Sequence, residues 1–319
     1  MRNVIERATR RLARQAATRW TAIPRVLERV GAYTLADHAD RQRGGGDIVA
    51  IALPPSAHDW RSRRIKAFRR QGLDQCVEAF HQGGWWGYER PLPDVLLTTV
   101  RTKPGVVVDV GANTGVYALI AASARGRITV HAFEAYPPVA RMLRENLALN
   151  GTSTHVRVVE AAASDVDGYI DLFVPETSGV IETSCSIESD FRPGSTPIRV
   201  RTARLDDYWD SIGRPDVTVI KIDVEGAEHR VLLGARLLLA RTRPVVFHEV
   251  LPGADFESLE NNQRALDMVD VRLSRWEAVV NDRIVFHDLA LNHAMVPRER
   301  LADFLAPLPG LGLKVTLLD

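Results

Sequence analysis

Apolar residues recur with two different periods along the middle of the chain. The runs 106–110 and 217–222 are almost continuously apolar, as in strands buried on both faces, whereas 138–150 carries Val139 and Leu143 on one helical face. Strands that alternate with helices predict right-handed crossovers and a parallel sheet that helices cover on both faces. The predicted strands are 48–53, 106–110, 128–133, 156–160, 170–174, 217–222 and 245–247, the predicted helices are 115–124, 138–150, 227–241 and 256–268, and the segments 271–273 and 284–286 are expected to close the sheet as an antiparallel pair.

The pattern before residue 84 is different. Narrow apolar stripes at helical spacing predict helices over 1–40 and 61–82, and a triple glycine marks a linker at 41–47. We therefore expect a largely helical N-terminal extension or cap over 1–83 and an α/β domain over 84–319 with its core at 106–290. Within that domain, the polar segment 176–197 is long for a connection and is typical of a lid or a disordered loop.

The composition indicates an ordinary globular protein and no particular function. An apolar fraction of 45%, a charged fraction of 25% and a net charge of +1 are ordinary for a globular protein. Basic residues cluster in 1–30 and 61–70; the alternatives are a solvated helix face and a surface for phosphates, an anionic membrane or an acidic partner. No apolar stretch approaches the ~18 residues of a membrane span. Cys76 and Cys185 offer neither a disulfide framework nor metal-finger spacing, which favours a reduced, cytoplasmic location.

The first candidate site follows the strand 106–110, where the sequence reads VVVDVGANTG. Gly111 and Gly115 let the backbone turn tightly, and such a turn at the carboxyl end of a central strand is where open α/β sheets bind ligands. A dinucleotide would place its pyrophosphate here, but Asp109 precedes the turn and the third glycine of the dinucleotide pattern is missing. A carboxylate suits S-adenosylmethionine, which carries an ammonium and a sulfonium and no phosphate. The charge of Asp109 therefore favours the methyl donor over a dinucleotide.

A second acidic position supports a nucleoside ligand. Glu134 ends the next predicted strand, 19 positions after Gly115. An acid about 20 residues after a glycine turn is placed to accept hydrogen bonds from ribose hydroxyls. We therefore expect Glu134 to bind the ribose of the donor.

Further acids lie at the carboxyl ends of two later strands. Asp223 and Glu225 follow one strand, and His248 and Glu249 end another. The carboxyl ends of parallel strands meet at one edge of a sheet, so Asp223 and Glu249 are expected on the same rim. They could orient the donor, supply a general base or hold Mg²⁺ through hard oxygen ligands. These four residues form the pool from which we expect the base to come, whereas Glu228 is expected to complement a helix dipole.

Together these motifs resemble the FkbM-type methyltransferases, within the class I S-adenosylmethionine-dependent superfamily. The resemblance covers about half of the chain, and the similar stretches occur in the same order as in the family. The similar stretches are GYERPL (87–92), VVVDVGANTGVYAL (106–119), HAFEAYPPVARMLRENLALNG (131–151), VVEAAASDVDG (158–168), VIKIDVEGAEHRVLLGA (219–235) and PVVFHEV (244–250).

The resemblance implies a Rossmann-like, seven-stranded, mostly parallel sheet with one antiparallel strand. It also implies O-methylation of a hydroxyl on a small molecule such as a polyketide, sugar or glycolipid. Mg²⁺ stays an open alternative, because the family is not uniformly tied to a metal. The cofactor-binding positions that the resemblance implies are Asp109, Gly111, Ala112, Asn113 and Gly115 for the methionine part, Glu134 for the ribose, Ala163, Ser164 and Asp165 for the adenine, Tyr88 and Glu89 as a cover, and Asp223 on the rim.

Two other functions fit parts of the sequence. A nucleotide-dependent oxidoreductase would share the fold, although the features around Asp109 argue against it. A non-catalytic binding module would use the Arg-rich N-terminus, which could also contact a membrane surface. Nucleic acid is not expected as a partner, because no Asn-Pro-Pro-type motif appears. Trp85, Trp86 and the segment 176–197 are candidates for the acceptor pocket and lid, with a core aromatic pair and a floppy loop as the alternative.

Overall fold

One large sheet organises the part of the chain that the structure describes. The computed structural model describes residues 47–54, 63–124, 126–175, 181, 185–188 and 194–318. The strands are β1 (Ile48–Ala52), β2 (Arg64–Phe68), β3 (Val106–Val110), β4 (Thr129–Phe133), β5 (Val156–Val159), β6 (Ala162–Ala163), β7 (Gly168–Pro175), β8 (Ser195–Ala203), β9 (Val217–Ile222), β10 (Val245–Glu249), β11 (Met268–Ser274), β12 (Glu277–Asn281), β13 (Asn292–Pro297) and β14 (Lys314–Leu317). Within these described ranges, nine strands form the main sheet in the order β14-β12-β11-β13-β10-β9-β3-β4-β5.

Helices connect these strands and cover the sheet. The α-helices are α1 (Gln75–Gly83), α2 (Leu92–Thr102), α3 (Val116–Ala122), α4 (Pro137–Asn150), α5 (Leu205–Ser211), α6 (Glu228–Leu233), α7 (Arg236–Thr242), α8 (Phe256–Ala265) and α9 (Leu301–Leu305), and short 3-10 helices cover Arg70–Gly72, Gly84–Trp86, Arg298–Arg300 and Leu308–Leu311.

Five adjacent strands run parallel and form the half of the sheet that positions the candidate site. They are β5, β4, β3, β9 and β10. Every residue of β9 is buried. One apolar core contains Val107 and Phe247 with residues of α1–α4 and α9, and a second contains Val108 and Val246 with residues of α5–α8. Helices therefore cover both faces, which confirms the predicted α/β class and explains the continuous apolar runs.

The other half of the sheet is mixed and differs from the expectation in its length, since β14 pairs parallel to β12 whereas the other pairs are antiparallel. β13 runs antiparallel to both β10 and β11, so the strands from β5 to β11 contain the one antiparallel strand that was expected. However, β12 pairs with β11 and β14 pairs with β12, which extends the described sheet from seven strands to nine. The strand predicted at 284–286 does not form. The N–H of Ile284 donates to the carboxylate of Glu260 and not to a neighbouring strand.

A separate three-stranded sheet in the order β6-β8-β7 follows β5. The strand predicted at 170–174 lies within β7, so it forms but belongs to this small sheet. β7 pairs antiparallel with β8 along the whole of β7. The predicted lid, 176–197, connects these two strands in the sequence. Its last three residues, 195–197, are not part of a loop but belong to β8.

The helix predicted over 61–82 is wrong in its first part, because β1 and β2 form an antiparallel hairpin there. Ile65 and Ala67 of β2 are buried and alternate with exposed or partly exposed neighbours, which is the period of a strand. The α-helix starts only after Asp74, whose side chain caps α1 by accepting a hydrogen bond from the N–H of Val77.

The helix predicted over 227–241 is likewise two helices, α6 and α7. Gly234 lies between them, and a Cβ at this position would lie 2.0 Å from the carbonyl oxygen of Ser164. The chain therefore needs glycine where α6 ends against the loop after β6.

Several predictions concern the N-terminal part of the chain. The helix over 1–40, the basic cluster of residues 1–30 and the linker at 41–47, except for Asp47, lie outside the described residues. The described residues before 84 share the first apolar core with the α/β domain, through side chains such as Ile51 and Phe80. The division of the chain near residue 83 stays a prediction. In the part that the structure describes, no helix is both long enough and apolar enough to cross a membrane.

Candidate active site

The glycine turn after β3 is forced into its shape by close packing. Gly111 has φ +73°, and a Cβ there would lie 1.8 Å from the carbonyl oxygen of Asp223. The N–H groups of Gly111 and Ala112 both donate to the carbonyl of Phe133 at the end of β4. The turn is therefore fastened between the ends of β4 and β9, with no room for a side chain at Gly111.

Glu134 fixes the other side of this turn. Its Oε2 accepts a hydrogen bond of 2.8 Å from the N–H of Asn113, and its Oε1 accepts one of 2.8 Å from the N–H of Tyr136. Burial raises the pKa of Glu134 to about 7, against the opposing effect of these two bonds. Each oxygen keeps a lone pair for a further donor such as a hydroxyl.

A cleft opens at the ends of β3, β4 and β9. Five of the cofactor positions that the resemblance implies line it, and apolar side chains of the small sheet and of the predicted lid complete it. The lining residues are Val110, Gly111, Asn113, Phe133, Glu134, Ala135, Val139, Ala161, Ala162, Ala163, Leu172, Cys185, Ile187, Asp223 and Val224.

Other implied cofactor positions lie behind or beside this cleft and do not line it. Ser164 is buried and donates to Asp165 Oδ1 at 2.9 Å. Asp109 is only 1% exposed, and neither of its carboxylate oxygens makes a hydrogen bond. Burial raises the pKa of Asp109 to about 6, against the opposing charge of Lys221. Lys221 is its register partner on β9, so both side chains leave the same face of the sheet.

Three carboxyl groups meet on the rim beside the cleft, and we call Glu89, Asp223 and Glu249 the carboxylate cluster. One oxygen of each lies within 4.8 Å of the others. The Nζ of Lys221 lies 2.7 Å from Asp223 Oδ2 and 4.6 Å from the ring centroid of Tyr117. The hydroxyl of Tyr117 donates to Glu89 Oε2 at 2.6 Å. The structure thus brings Asp223 and Glu249 together, as the strand ends predicted, and adds Glu89 from the segment before α2.

Burial and mutual repulsion both act on the carboxylate cluster. The charge of Asp223, followed by burial and the charge of Glu89, raises the pKa of Glu249 to about 10. Burial and the charge of Asp223 also raise the pKa of Glu89. Glu249 is therefore protonated at neutral pH when no cation is present, whereas Asp223 forms an ion pair with Lys221.

Two members of the predicted base pool do not join the carboxylate cluster. His248 is buried on the opposite face of the sheet, where its ring lies 5.8 Å from that of His293. Burial and the charge of His293 lower the pKa of His248 to about 3. Glu225 has φ +57°, so the strand alternation that would align its side chain with Asp223 has ended.

Glu228 has a local structural role, as expected, although through different contacts. Its carboxylate is 1% exposed, and Oε1 accepts hydrogen bonds from the N–H groups of Val224 and Gly226. It closes the turn between β9 and α6.

Lys221 and Tyr117 are the functional candidates that sequence reasoning left without a role. A lysine inside the buried run VTVIKI carried a signal, because lysine is almost never fully buried unless it is paired. Tyr117 gave no such signal, since a tyrosine in the first turn of an apolar, buried helix is ordinary. Of the two aromatic candidates for an acceptor pocket, Trp85 is buried with its Nε1 donating to Asp94, and Trp86 stacks on Arg90.

Comparison with known proteins finds similarity over the part of the chain that builds this site. The family model of the methyltransferase FkbM domain matches residues 109–278. The chain is 33% identical over 160 residues to the 2-O-methyltransferase NoeI of Sinorhizobium fredii, covering 46% of this chain and 64% of NoeI. It is 32% identical over 161 residues to the 31-O-demethyl-FK506 methyltransferase FkbM of Streptomyces tacrolimicus, covering 42% of this chain and 61% of that protein.

A solved structure, the methyltransferase FkbM of Methylobacillus flagellatus, aligns at 18% identity with a TM-score of 0.40, over 60% of this chain and 43% of that one. The chain spans less than two thirds of the length of each of the two curated relatives.

Proposed function

This chain belongs to the FkbM methyltransferase family, and from that premise we propose that it transfers a methyl group from S-adenosylmethionine to a hydroxyl of a small molecule. The family match runs from residue 109 to residue 278 and so includes the cleft lining from Gly111 onward, as well as Asp223 and Glu249. NoeI and the Streptomyces FkbM protein both carry methyltransferase names, and NoeI is named for O-methylation. A polyketide, sugar or glycolipid is the class of acceptor we propose.

The observation that carries the proposal is the cleft beside the glycine turn. S-adenosylmethionine supplies an electrophilic methyl group on a sulfonium when it is bound. Glu134 offers lone pairs for the ribose hydroxyls, and the alanines 161–163 offer a flat apolar wall for the adenine. Gly111 leaves its backbone bare for close approach of the ligand. Asp223 lines the cleft at the rim and forms an ion pair with Lys221.

Asp223 is the base candidate that the geometry favours. An alcohol is a weak nucleophile until its proton leaves, and a base within hydrogen-bond reach contributes about 10²–10⁴ in rate. Of the four residues in the base pool, Asp223 is the one that lines the cleft. Glu249 holds a proton at neutral pH, and His248 faces the other side of the sheet.

The remaining parts of the proposal concern cofactors and surroundings. S-adenosylmethionine is the cofactor that we propose for the cleft, and the carboxylate cluster is the place where Mg²⁺ would bind. Cys76 and Cys185, both in the described part of the chain, form no disulfide, which is consistent with the cytoplasmic location that we propose. The family match gives no support to an oxidoreductase or to a non-catalytic binding module.

Tritium transfer from S-adenosyl-[methyl-³H]methionine into an extract of the source organism tests the proposal. We expect label in a small molecule as a methyl ether, which resists alkaline hydrolysis. Label in protein or nucleic acid, or label released as methanol by alkali, would contradict it. Asp223→Asn should lower the transfer rate by about 10²-fold or more while S-adenosylhomocysteine still binds. Asp216→Asn, at the exposed opposite end of β9, is the matched control and should retain the wild-type rate.

A further inference from the structure

Two arginines lie on the rim of the sheet beside the carboxylate cluster. Arg90 directly follows Glu89 in the chain, and Arg275 lies in the turn between β11 and β12. The pairing register brings that turn to the edge of the sheet where the cleft opens, because β13 begins next to Glu249 at the end of β10 and β11 ends next to the beginning of β13. Both arginines therefore stand next to the place at which we propose that the acceptor meets the donor.

Tryptophan rings hold the two guanidinium groups together, and we call Trp86, Arg90, Arg275 and Trp276 the arginine–tryptophan stack. The Cζ of Arg90 lies 4.3 Å from the ring centroid of Trp86 and 4.2 Å from that of Trp276. The Cζ of Arg275 lies 5.6 Å from the same ring of Trp276. A guanidinium that packs on aromatic rings is fixed in orientation, and the planar fork of its N–H donors matches the geometry of a carboxylate or phosphate.

The charge of these arginines is not neutralised within the part of the chain that the structure describes. There, neither Arg90 nor Arg275 forms an ion pair or a side-chain hydrogen bond. Asp94 acts on Arg90 through its charge, but its Oδ1 already accepts a hydrogen bond of 2.6 Å from Trp85 Nε1. Burial lowers the pKa of Arg90, and the positive charge of Arg275 lowers it further. An anion between the two arginines would remove this repulsion.

The arginine–tryptophan stack faces solvent. Trp276 is 57% exposed and Arg275 is exposed, whereas Trp86 and Arg90 are partly buried. The Nε of Arg90 is buried without an acceptor, so the terminal nitrogens are the donors that remain for a ligand. A contact that only fastened the segment before α2 to the turn after β11 would need Arg90 and the two rings, but not a second cation at Arg275. The second cation indicates a surface that binds an anion.

We propose that the arginine–tryptophan stack binds an oxyanion of the methyl acceptor, which is a carboxylate, phosphate or sulfate group. Its role in recognising the acceptor rests on the proposed function. Glu89 belongs to the carboxylate cluster and Arg90 to the stack, so opposite charges are adjacent on the rim. The acids repel the oxyanion and the arginines attract it, which turns the anionic end of the acceptor away from Asp223 and leaves its hydroxyl toward the cleft. The stack thus selects and orients the acceptor without touching the reacting atoms.

Methyl transfer into a fractionated extract of the source organism tests the charge of the acceptor. The extract, freed of protein and nucleic acid, is separated on an anion exchanger at pH 7, and the full chain with S-adenosyl-[methyl-³H]methionine is added to each fraction. We expect the label in the retained, anionic fraction. Label in the unretained fraction alone would overturn the oxyanion site and leave the proposed function standing. If neither fraction is labelled, the proposed function fails, and the oxyanion site fails with it.

Arg275→Gln and Arg90→Gln test the arginines themselves. Each should raise the KM for the anionic fraction by about tenfold or more and change kcat by less than about threefold, because the stack binds the acceptor away from the reacting atoms. Arg241→Gln is the matched control, an exposed arginine on α7 ahead of the amino end of β10, and should keep the wild-type KM. S-adenosylhomocysteine should bind to all four proteins equally. An unchanged KM in Arg275→Gln would overturn the proposal, and this exposed position still decides the question if Arg90→Gln does not fold.

Two further measurements separate the sources of the anion. If alkaline phosphatase removes the charge of the labelled product, the oxyanion is a phosphate monoester, and if the charge persists it is a carboxylate, a sulfate or a phosphodiester; both results support the site. Sedimentation with vesicles of phosphatidylglycerol and phosphatidylcholine tests a membrane surface instead. We expect the wild type and Arg275→Gln to sediment equally. Sedimentation that Arg275→Gln loses, together with an unchanged KM, would assign the stack to a membrane and overturn its role in acceptor binding.

Discussion

Glu134 is the side chain that connects the backbone of the glycine turn with the ligand proposed for the cleft. Its two oxygens hold the N–H groups of Asn113 and Tyr136, so it has a structural role even without a ligand. Burial places its pKa at about 7, within the range in which proteins are usually assayed. Protonation of Glu134 should therefore change the affinity for the ligand within this pH range.

Donor affinity should fall as the pH drops from 8 to 6. The ionised carboxylate accepts ribose hydroxyls and the protonated form does so poorly, so affinity is lost as the pH falls through about 7. With that pKa, the ionised fraction drops about tenfold between pH 8 and pH 6, and the Kd of S-adenosylhomocysteine should rise by about the same factor. Calorimetric titration at both pH values measures this effect.

Two substitutions separate Glu134 from other titrating groups. Glu134→Gln should bind weakly at both pH values and lose the pH dependence. Glu160→Gln, just after the neighbouring strand β5 and exposed, should keep both the affinity and its pH dependence. A pH dependence that persists in Glu134→Gln would assign the effect to another group.

Among the structural elements, the turn between β3 and α3 is the most tightly constrained. Gly111→Ala should destabilise the protein by about 2–5 kcal/mol, because it combines a left-handed backbone with a Cβ that would lie only 1.8 Å from the carbonyl oxygen of Asp223. Binding of S-adenosylhomocysteine should be lost even under conditions in which the variant folds. Urea denaturation and calorimetry measure the two effects.

Gly151→Ala is the matched control for this prediction. Gly151 also has a left-handed backbone, φ +64°, but no atom lies within 4 Å of where its Cβ would be. The substitution at the end of α4 should cost about 1–2 kcal/mol and leave binding unchanged. Equal losses of stability at the two glycines would show that packing against Asp223 is not what constrains the turn.

The structural elements also show how much of the fold and of the candidate site could be predicted from the sequence. The glycine turn, Glu134 and the meeting of Asp223 with Glu249 follow from local motifs and from the geometry of parallel strands. The β1–β2 hairpin does not, because the short pattern of residues 64–68 fits a helix as well as a strand until the pairing partner is known. The place of Glu89 in the carboxylate cluster depends on long-range packing that brings the segment before α2 over the strand ends.

At the scale of the whole molecule, Asn146 links the N-terminal hairpin to the α/β domain. This fully buried side chain on α4 accepts a hydrogen bond from the N–H of Phe68 and donates one to the carbonyl of Thr114 in the glycine turn. The hairpin and the turn therefore share one support. The hairpin is fastened to the domain by specific polar contacts as well as by the shared apolar core.

Asn146→Ala should lower the free energy of unfolding by about 2–4 kcal/mol, because it removes the hydrogen bonds of the partly buried N–H of Phe68 and the buried carbonyl of Thr114. Asn261→Ala, at an exposed position on α8, should change it by less than about 0.5 kcal/mol. Urea denaturation followed by tryptophan fluorescence measures both. A loss of stability no larger than that of the control would show that the hairpin does not depend on this contact.

The most direct test of the central claim is a calorimetric titration of the full chain with S-adenosylhomocysteine and, separately, with NADH. We expect S-adenosylhomocysteine to bind one site per chain with a Kd of about 1–100 μM. NADH, whose pyrophosphate would meet the carboxylates around the glycine turn, should not bind. Binding of NADH without binding of S-adenosylhomocysteine would contradict the assignment of the cleft to the methyl donor.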